Sequence, residues 1–343
     1  MTQIYFPVLL DITNPENTIQ LRDFLERFDL SLDTIDAAIV IKEDHQIVAS
    51  CCKLKNVFKM IAVDPEYQHN NLVSLMLNEI TYLAFEQGYV HTFIFTPLVS
   101  VPIFTSLGYS MVVATHEVAL LEKGPILIDE TIQTIDHKYQ CNKTQNGAII
   151  INGNPFSLGH LHLIETASRQ CERLFVFVVE EDVSFFTFEQ RFFLIQEGVK
   201  HLDNVVVLPS TFYIISQATF PNYFVRDKEH GFDMYATLDV TLFGTWFSKL
   251  NITKRFVGEE PLDEMTDAYN MTMAQLLPSY GIELIIIERK HNRYGVISAS
   301  IIRSLLKAQD WKTLKHYVPD TTYNYLKDNP QIIEKIQTHH GKH

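Results

Sequence analysis

At 343 residues the chain is longer than a typical single domain, and its 46% hydrophobic and 12% aromatic content excludes a disordered polymer. Lys and Arg number 28 against 41 Asp and Glu, a formal charge of −13 that repels phosphate backbones and argues against nucleic acid as partner. No apolar run approaches the ~20 residues that span a bilayer, the start lacks the basic region of a signal peptide, and Cys51, Cys52, Cys141 and Cys171 have no metal-site spacing, so a cytoplasmic protein with free thiols and no membrane partner is expected.

The first block, residues 1–121, reads as a helix over Asn17 to Phe28 and then strands at Ala37–Ile41, Ile47–Cys52 and Phe58–Val63. An amphipathic helix from Leu72 to Phe85, a strand at His91–Phe95, a short helix at Val101–Leu107 and a strand at Tyr109–Ala114 follow. Polar residues and the Gly124-Pro125 turn signal mark 122–146 as a linker. The second block, 147–330, alternates strands and helices. Its strands are predicted at Ala148–Ile151, Leu174–Val179, Val205–Leu208, Arg255–Val257 and Ile282–Ile287, with helices near His160–Cys171, after the capping-box pattern Thr187 to Gln190, and over Met234–Leu250, Asp263–Leu277 and Ala299–Ala308. Residues 331–343 read as a polar tail. Such alternation implies a doubly wound parallel sheet of Rossmann type, with the ligand at the carboxyl ends of the strands.

The loop after the first of these strands is therefore the place to look for chemistry. It runs Asn152-Gly153-Asn154-Pro155-Phe156-Ser157-Leu158-Gly159-His160. Its end resembles the (His/Thr)-x-Gly-His signature of the nucleotidylyltransferase superfamily, and Ile297-Ser298-Ala299-Ser300-Ile301-Ile302-Arg303 resembles that superfamily's second signature. Each opens a predicted helix, whose N-terminus favours anions. In adenylyl transfer His160 and Ser157 can donate to the α-phosphate, Gly159 permits close backbone approach, and Ser298, Ser300 and Arg303 can hold the outer phosphates. Asn152, Gly153, Asn154, Phe156 and Gly258 complete the expected ATP pocket. Mg²⁺ is expected on the triphosphate, without a protein motif of its own.

The stretch Asn154 to His160 is similar to the Asn-Pro-Phe-Thr-Leu-Gly-His of citrate lyase ligases. The similarity continues through Ser210–Ser216, Ala218–Phe224, Arg255–Pro261, Tyr269-Asn270 and the second signature. This resemblance implies an ATP-dependent ligase. It would convert acetate to acetyl-adenylate and pass the acetyl group to the thiol of a dephospho-CoA-type prosthetic group on the citrate lyase acyl-carrier subunit. Tyr213, Ser216 and Tyr223 are then candidates for the substrate side of the pocket, and Lys254/Arg255 or Arg289/Lys290 for a basic patch facing an acidic carrier.

Family members also carry an N-terminal GNAT-like acetyltransferase domain. Val63-Asp-Pro-Glu-Tyr-Gln68 resembles GNAT motif A, with Asn71 and Val73 where that motif has small residues, while Asp64 and Glu86 read as solvated charges. Two other functions fit the same residues: a cofactor adenylyltransferase of the pantetheine-phosphate or nicotinamide-mononucleotide type, and a GNAT acetyltransferase with a nucleotide-sensing domain.

Overall fold

A computed structural model describes residues 4–180, 185–211, 213–214, 228–259 and 264–338. Contacts divide the chain into two units, Met1–Thr131 with Gln217–Leu242, and Ile132–Ser216 with Phe243–His343. Among the described residues, no helix is long and apolar enough to cross a membrane.

The first unit runs β1 (Val8–Leu9), α1 (Pro15–Glu26), β2 (Ala37–Glu43), β3 (Gln46–Leu54), β4 (Val57–Val63), α2 (Leu72–Glu86), β5 (Thr92–Pro97), α3 (Val101–Ser106), β6 (Ser110–Ala114) and β7 (Val118–Lys123). Its sheet has the order β1-β2-β3-β4-β5-β7-β6. Every neighbouring pair is antiparallel except β4 with β5, which is parallel and registers only Val57 with Phe93 and Phe58 with Ile94. Alternate residues feed two cores. Ile39, Ile41 and Cys51 pack with Leu72, Met76 and Ile80 of α2, whereas Ala38, Val40 and Cys52 pack with Leu21, Phe24 and Leu25 of α1. Burial on both faces removes any polar alternation, which is why these strands read as continuous apolar runs. This is the GNAT-like α/β domain expected from motif A.

Asp64 departs from its expected solvated role. It is 9% exposed, ion-paired with Arg27, and accepts from the Glu66 N–H at 3.2 Å to cap the following turn. Glu86 is exposed and accepts from the Tyr82 hydroxyl at 2.7 Å.

A helix, α4 (Ile128–Tyr139), occupies the expected linker. The second half continues with β8 (Asn146–Ile151), α5 (Leu158–Ser168), β9 (Arg173–Val178), α6 (Phe188–Gly198), β10 (Val205–Pro209), α7 (Lys228–Leu242), β11 (Ile252–Gly258), α8 (Glu264–Leu276), β12 (Glu283–Ile287), a hairpin of β13 (His291–Asn292) and β14 (Gly295–Val296), and then α9 (Ala299–Lys307), α10 (Trp311–Leu314), α11 (Asp320–Asp328) and α12 (Pro330–Thr338). The five long strands form an all-parallel sheet in the order β10-β9-β8-β11-β12. The chain thus winds outward from β8 on one side and from β11 on the other. In such sheets the ligand crevice lies at the carboxyl ends, where the winding reverses.

Three boundaries differ from expectation. The first sheet continues through β7 to Lys123, beyond residue 121, because β7 pairs with both β5 and β6. Within the second half, α7 belongs to the first unit, where it packs on β6 and β7 and His230 Nε2 lies 2.8 Å from Glu117. The expected polar tail contains α12, whose Ile332, Ile333 and Ile336 enter the core of the second unit. Residues 339–343 lie outside the described residues.

Candidate active site

The loop between β8 and α5 lies at the winding reversal. Gly153 takes φ +65°, and a Cβ there would meet Ile195 Cδ1 at 2.9 Å, so conformation and space both call for glycine. The Asn154–Pro155 peptide is cis. Ser157 is the N-cap of α5, and its Oγ accepts from the His160 N–H at 3.2 Å. In return the Ser157 N–H donates to His160 Nδ1 at 3.1 Å, and Ser157 Oγ lies 3.0 Å from the same nitrogen. An Nδ1 that accepts from an amide carries no proton, so the neutral ring holds its proton on Nε2. Burial, and then the positive charge of Arg289, draw the His160 pKa from 6.5 down to about 4. The imidazole is therefore a neutral donor with one fixed tautomer.

Ser157 differs from its expected role as a second phosphate donor. It is 2% exposed and turned onto His160, which makes it the group that orients the ring. Phe156, expected at the nucleotide, is fully buried and lies parallel to the His160 ring at 6.1 Å. It forms a floor under the imidazole.

The N–H groups that flank Gly159 are engaged: Leu158 donates to Tyr317 O at 2.9 Å and His160 to Ser157 Oγ. The Gly159 N–H lies between them in the first turn of α5. A Cβ at Gly159 would meet Ser157 Oγ at 3.4 Å, Ile297 O at 3.5 Å and Ile297 Cγ2 at 3.6 Å, which is ordinary contact. The protein tolerates a methyl group there.

The second motif reaches the same loop. Ser298 caps α9, accepting from the Ile301 N–H at 3.3 Å, and its Oγ lies 2.9 Å from that of exposed Ser300. One turn on, Arg303 donates from Nη1 to Asn154 O at 3.0 Å, and its guanidinium lies over Phe185 at 5.9 Å. Burial lowers the Arg303 pKa. Gly258 ends β11 beside the crevice, and a Cβ there would meet nothing within 4 Å.

Arg191, which the sequence analysis did not single out, organises this edge. Fully buried on α6, it donates to Asn152 O at 2.9 Å, Val179 O at 2.7 Å and Phe186 O at 3.2 Å. It ties the ends of β8 and β9 to the start of α6. Its signal was an arginine on the apolar face of a predicted helix, between Phe188 and Leu194. Asn152 is exposed and accepts from this pin through its backbone oxygen, while the Asn154 side chain accepts from the Phe186 N–H at 3.4 Å.

Of the substrate-side candidates, Tyr213 is 2% exposed, whereas Ser216 and Tyr223 lie outside the described residues. The Lys254/Arg255 patch is not formed: Arg255 is buried with its guanidinium 4.5 Å from the Phe243 ring centre, and Lys254 donates to Gln170 O at 2.8 Å. Burial raises all four thiols, Cys52 to about 12 and Cys141 and Cys171 to about 11, so none is poised as a nucleophile. In the first unit a cavity of about 620 Å³ is lined by residues of β4, α2, β5 and α3 and by Gln68 and Asn71 of the turn before α2, with Val73 on its wall. Asn71, at the start of α2, adopts φ 55°.

A parallel sheet of order β10-β9-β8-β11-β12, with a Gly-His helix start and an Ile-Ser-Ala-Ser helix start meeting at its reversal, defines a nucleotidyltransferase-type domain joined to a GNAT-like one. The profile of the citrate lyase ligase C-terminal domain matches residues 146–326. The chain is 35% identical over 310 residues to the citrate (pro-3S)-lyase ligase of Klebsiella pneumoniae, covering 88% of this chain and 90% of that one. It is 34% identical to the ligase of the same name from Haemophilus influenzae (90% and 94% covered) and 32% identical to that of Escherichia coli (90% and 90%). The chain belongs to the citrate lyase ligase family and is an enzyme of the ligase class.

Proposed function

We propose that this ligase activates acetate with ATP and delivers the acetyl group to the thiol of the citrate lyase acyl-carrier prosthetic group. The observation that carries this reading is the junction of the two motifs. Arg303 of one grips Asn154 of the other, beside a histidine held with its only proton on Nε2. A carboxylate oxygen of acetate attacks the α-phosphorus and pyrophosphate leaves, giving acetyl-adenylate. The carrier thiol then attacks the acetyl carbonyl, AMP leaves, and the thiol proton passes to solvent.

His160 Nε2–H and the Gly159 N–H meet the charge that grows on the α-phosphate oxygens. Ser298, Ser300 and Arg303 meet the departing pyrophosphate. This open helix start, hydroxyl pair and arginine suit a triphosphate whose Mg²⁺ would be held by phosphate oxygens, where it would neutralise their charge. Adenine or ribose packs against Gly258, where a side chain is missing and space is open. Burial holds the chain's own thiols protonated, with Cys51, Cys52 and Cys141 enclosed and Cys171 half-buried, so the acceptor comes from a partner.

The test is pyrophosphate release from Mg²⁺ and ATP, with and without acetate, in the native protein and in His160→Ala. Acetate-dependent release that falls about 10²- to 10³-fold in the variant is expected. Release that ignores acetate and appears only with a nucleotide monophosphate or phosphopantetheine would move the protein to the cofactor adenylyltransferases. The cavity in the first unit favours a second reading, acyl-CoA binding at the GNAT-like domain, although Val73 puts a β-branched side chain on its wall. Consumption of acetyl-CoA without ATP would identify that activity.

A further inference from the structure

The cations of this acidic chain are not evenly spread. Residues 289–317 hold seven Lys and Arg and one acidic residue, Asp310, against 28 and 41 in the whole chain. Asp310 is engaged locally as the N-cap of α10, accepting from the Thr313 N–H at 3.0 Å. Arg303 and Arg289 act on the adenylation site, on Asn154 and His160 respectively. Arg293, Lys307, Lys312 and Lys315 are exposed.

One of these exposed cations, Arg293, is braced to the site. The β13–β14 hairpin carries Arg293 and Tyr294 at its tip. Arg293 Nη2 lies 2.9 Å from His316 Nε2, and Asn292 donates to His316 O at 2.8 Å. The Tyr294 ring, 49% exposed, lies 5.5 Å from that of His316 and 6.4 Å from that of Tyr317. Tyr317 O in turn accepts from Leu158, the first residue of α5. Lys312 and Lys315 are three apart on α10 and its C-cap, so they share a face.

We propose that this rim is the docking surface for an acidic protein, the carrier that brings the acceptor thiol in the reaction proposed above. An exposed tyrosine flanked by arginine and lysine is the composition of a protein interface with an anchor and a charged border. These four cations stand on the hairpin tip, the end of α9 and α10, outside the two motifs proposed to face the phosphates, so a nucleotide does not account for them. Elsewhere the chain is strongly acidic and repels an acidic partner, which leaves the rim as the attractive route to the site.

The inference rests on the ligase reading, and its test is a binding titration that the chemistry does not enter. Fluorescently labelled citrate lyase carrier subunit, with and without its prosthetic group, is titrated by anisotropy with the native protein, with R293E/K315E, and with the charge-matched control K200E/K249E. The carrier lacking its prosthetic group is expected to bind the native protein. Affinity falls about tenfold or more in R293E/K315E, with a flatter salt dependence, and is unchanged in the control. Acetate-dependent pyrophosphate release stays the same in R293E/K315E. No binding of the unloaded carrier, equal losses in both double variants, or native affinity in R293E/K315E would each overturn the docking surface. Loss of acetate dependence in the native protein would instead overturn the ligase reading, and the titration still decides the surface.

Discussion

A histidine whose Nδ1 accepts a backbone N–H cannot relay a proton between its two nitrogens without first breaking that bond. His160 is held in this way by Ser157, and its depressed pKa keeps it neutral, so it can serve adenylyl transfer by donating a hydrogen bond but not as a general base. Two of the site's three glycines, Gly159 and Gly258, can be separated from the scaffold because, unlike Gly153, neither is demanded by its neighbours. Gly159→Ala and Gly258→Ala are expected to fold with stability within about 1 kcal/mol of native. Each should raise the ATP KM about tenfold or more if, as proposed, the methyl group enters space taken by the nucleotide. Thermal unfolding and steady-state kinetics check both halves of this statement; a native KM in either variant removes that glycine from the nucleotide pocket.

At the scale of elements, the site hangs on a buried arginine that joins three chain segments. In Arg191→Met the side-chain volume is nearly kept while the carbonyls of Asn152, Val179 and Phe186 lose their donor. A loss of about 3 kcal/mol or more is expected in urea denaturation, with an accompanying fall in adenylation as the Asn152–Gly153 loop relaxes. An unchanged midpoint and rate would show that the pin is dispensable. The strands β8 to β12 and the starts of α5, α6 and α9 were legible in sequence because buried parallel strands are continuous apolar runs and their caps have side-chain signatures. The helices α4 and α12 were not. Each carries a narrow isoleucine stripe, Ile128, Ile132 and Ile135 in one and Ile332, Ile333 and Ile336 in the other, within a polar run that mimics a linker or tail. Phe156 and Ser157 were legible as motif members but not as floor and cap, since a motif records which residues meet and not which way they face.

At the scale of the whole molecule, chain order and unit membership disagree. The chain leaves the first unit at Thr131 and returns to it for Gln217–Leu242. A fragment of residues 132–343 therefore carries α7, with Ala236, Leu238 and Val240 buried in the full chain, but lacks the strands β6 and β7 on which it packs. Such a fragment is expected to aggregate at concentrations where the full chain stays soluble, and replacing 217–242 by a short polar linker should relieve this. A fragment as soluble as the full chain, measured by light scattering, would contradict it. No sign of this return is legible in the residues, because a helix between two strands of a parallel sheet looks the same whichever sheet it covers.

The returning helix also sets a timetable for synthesis. The β6–β7 face is complete when Lys123 leaves the ribosome, but α7 begins only at Lys228. At ordinary elongation speeds those roughly one hundred residues take about 5 to 20 seconds. For that interval the nascent first unit presents an uncovered apolar face, which makes this stage of translation the one at which a chaperone has most to hold.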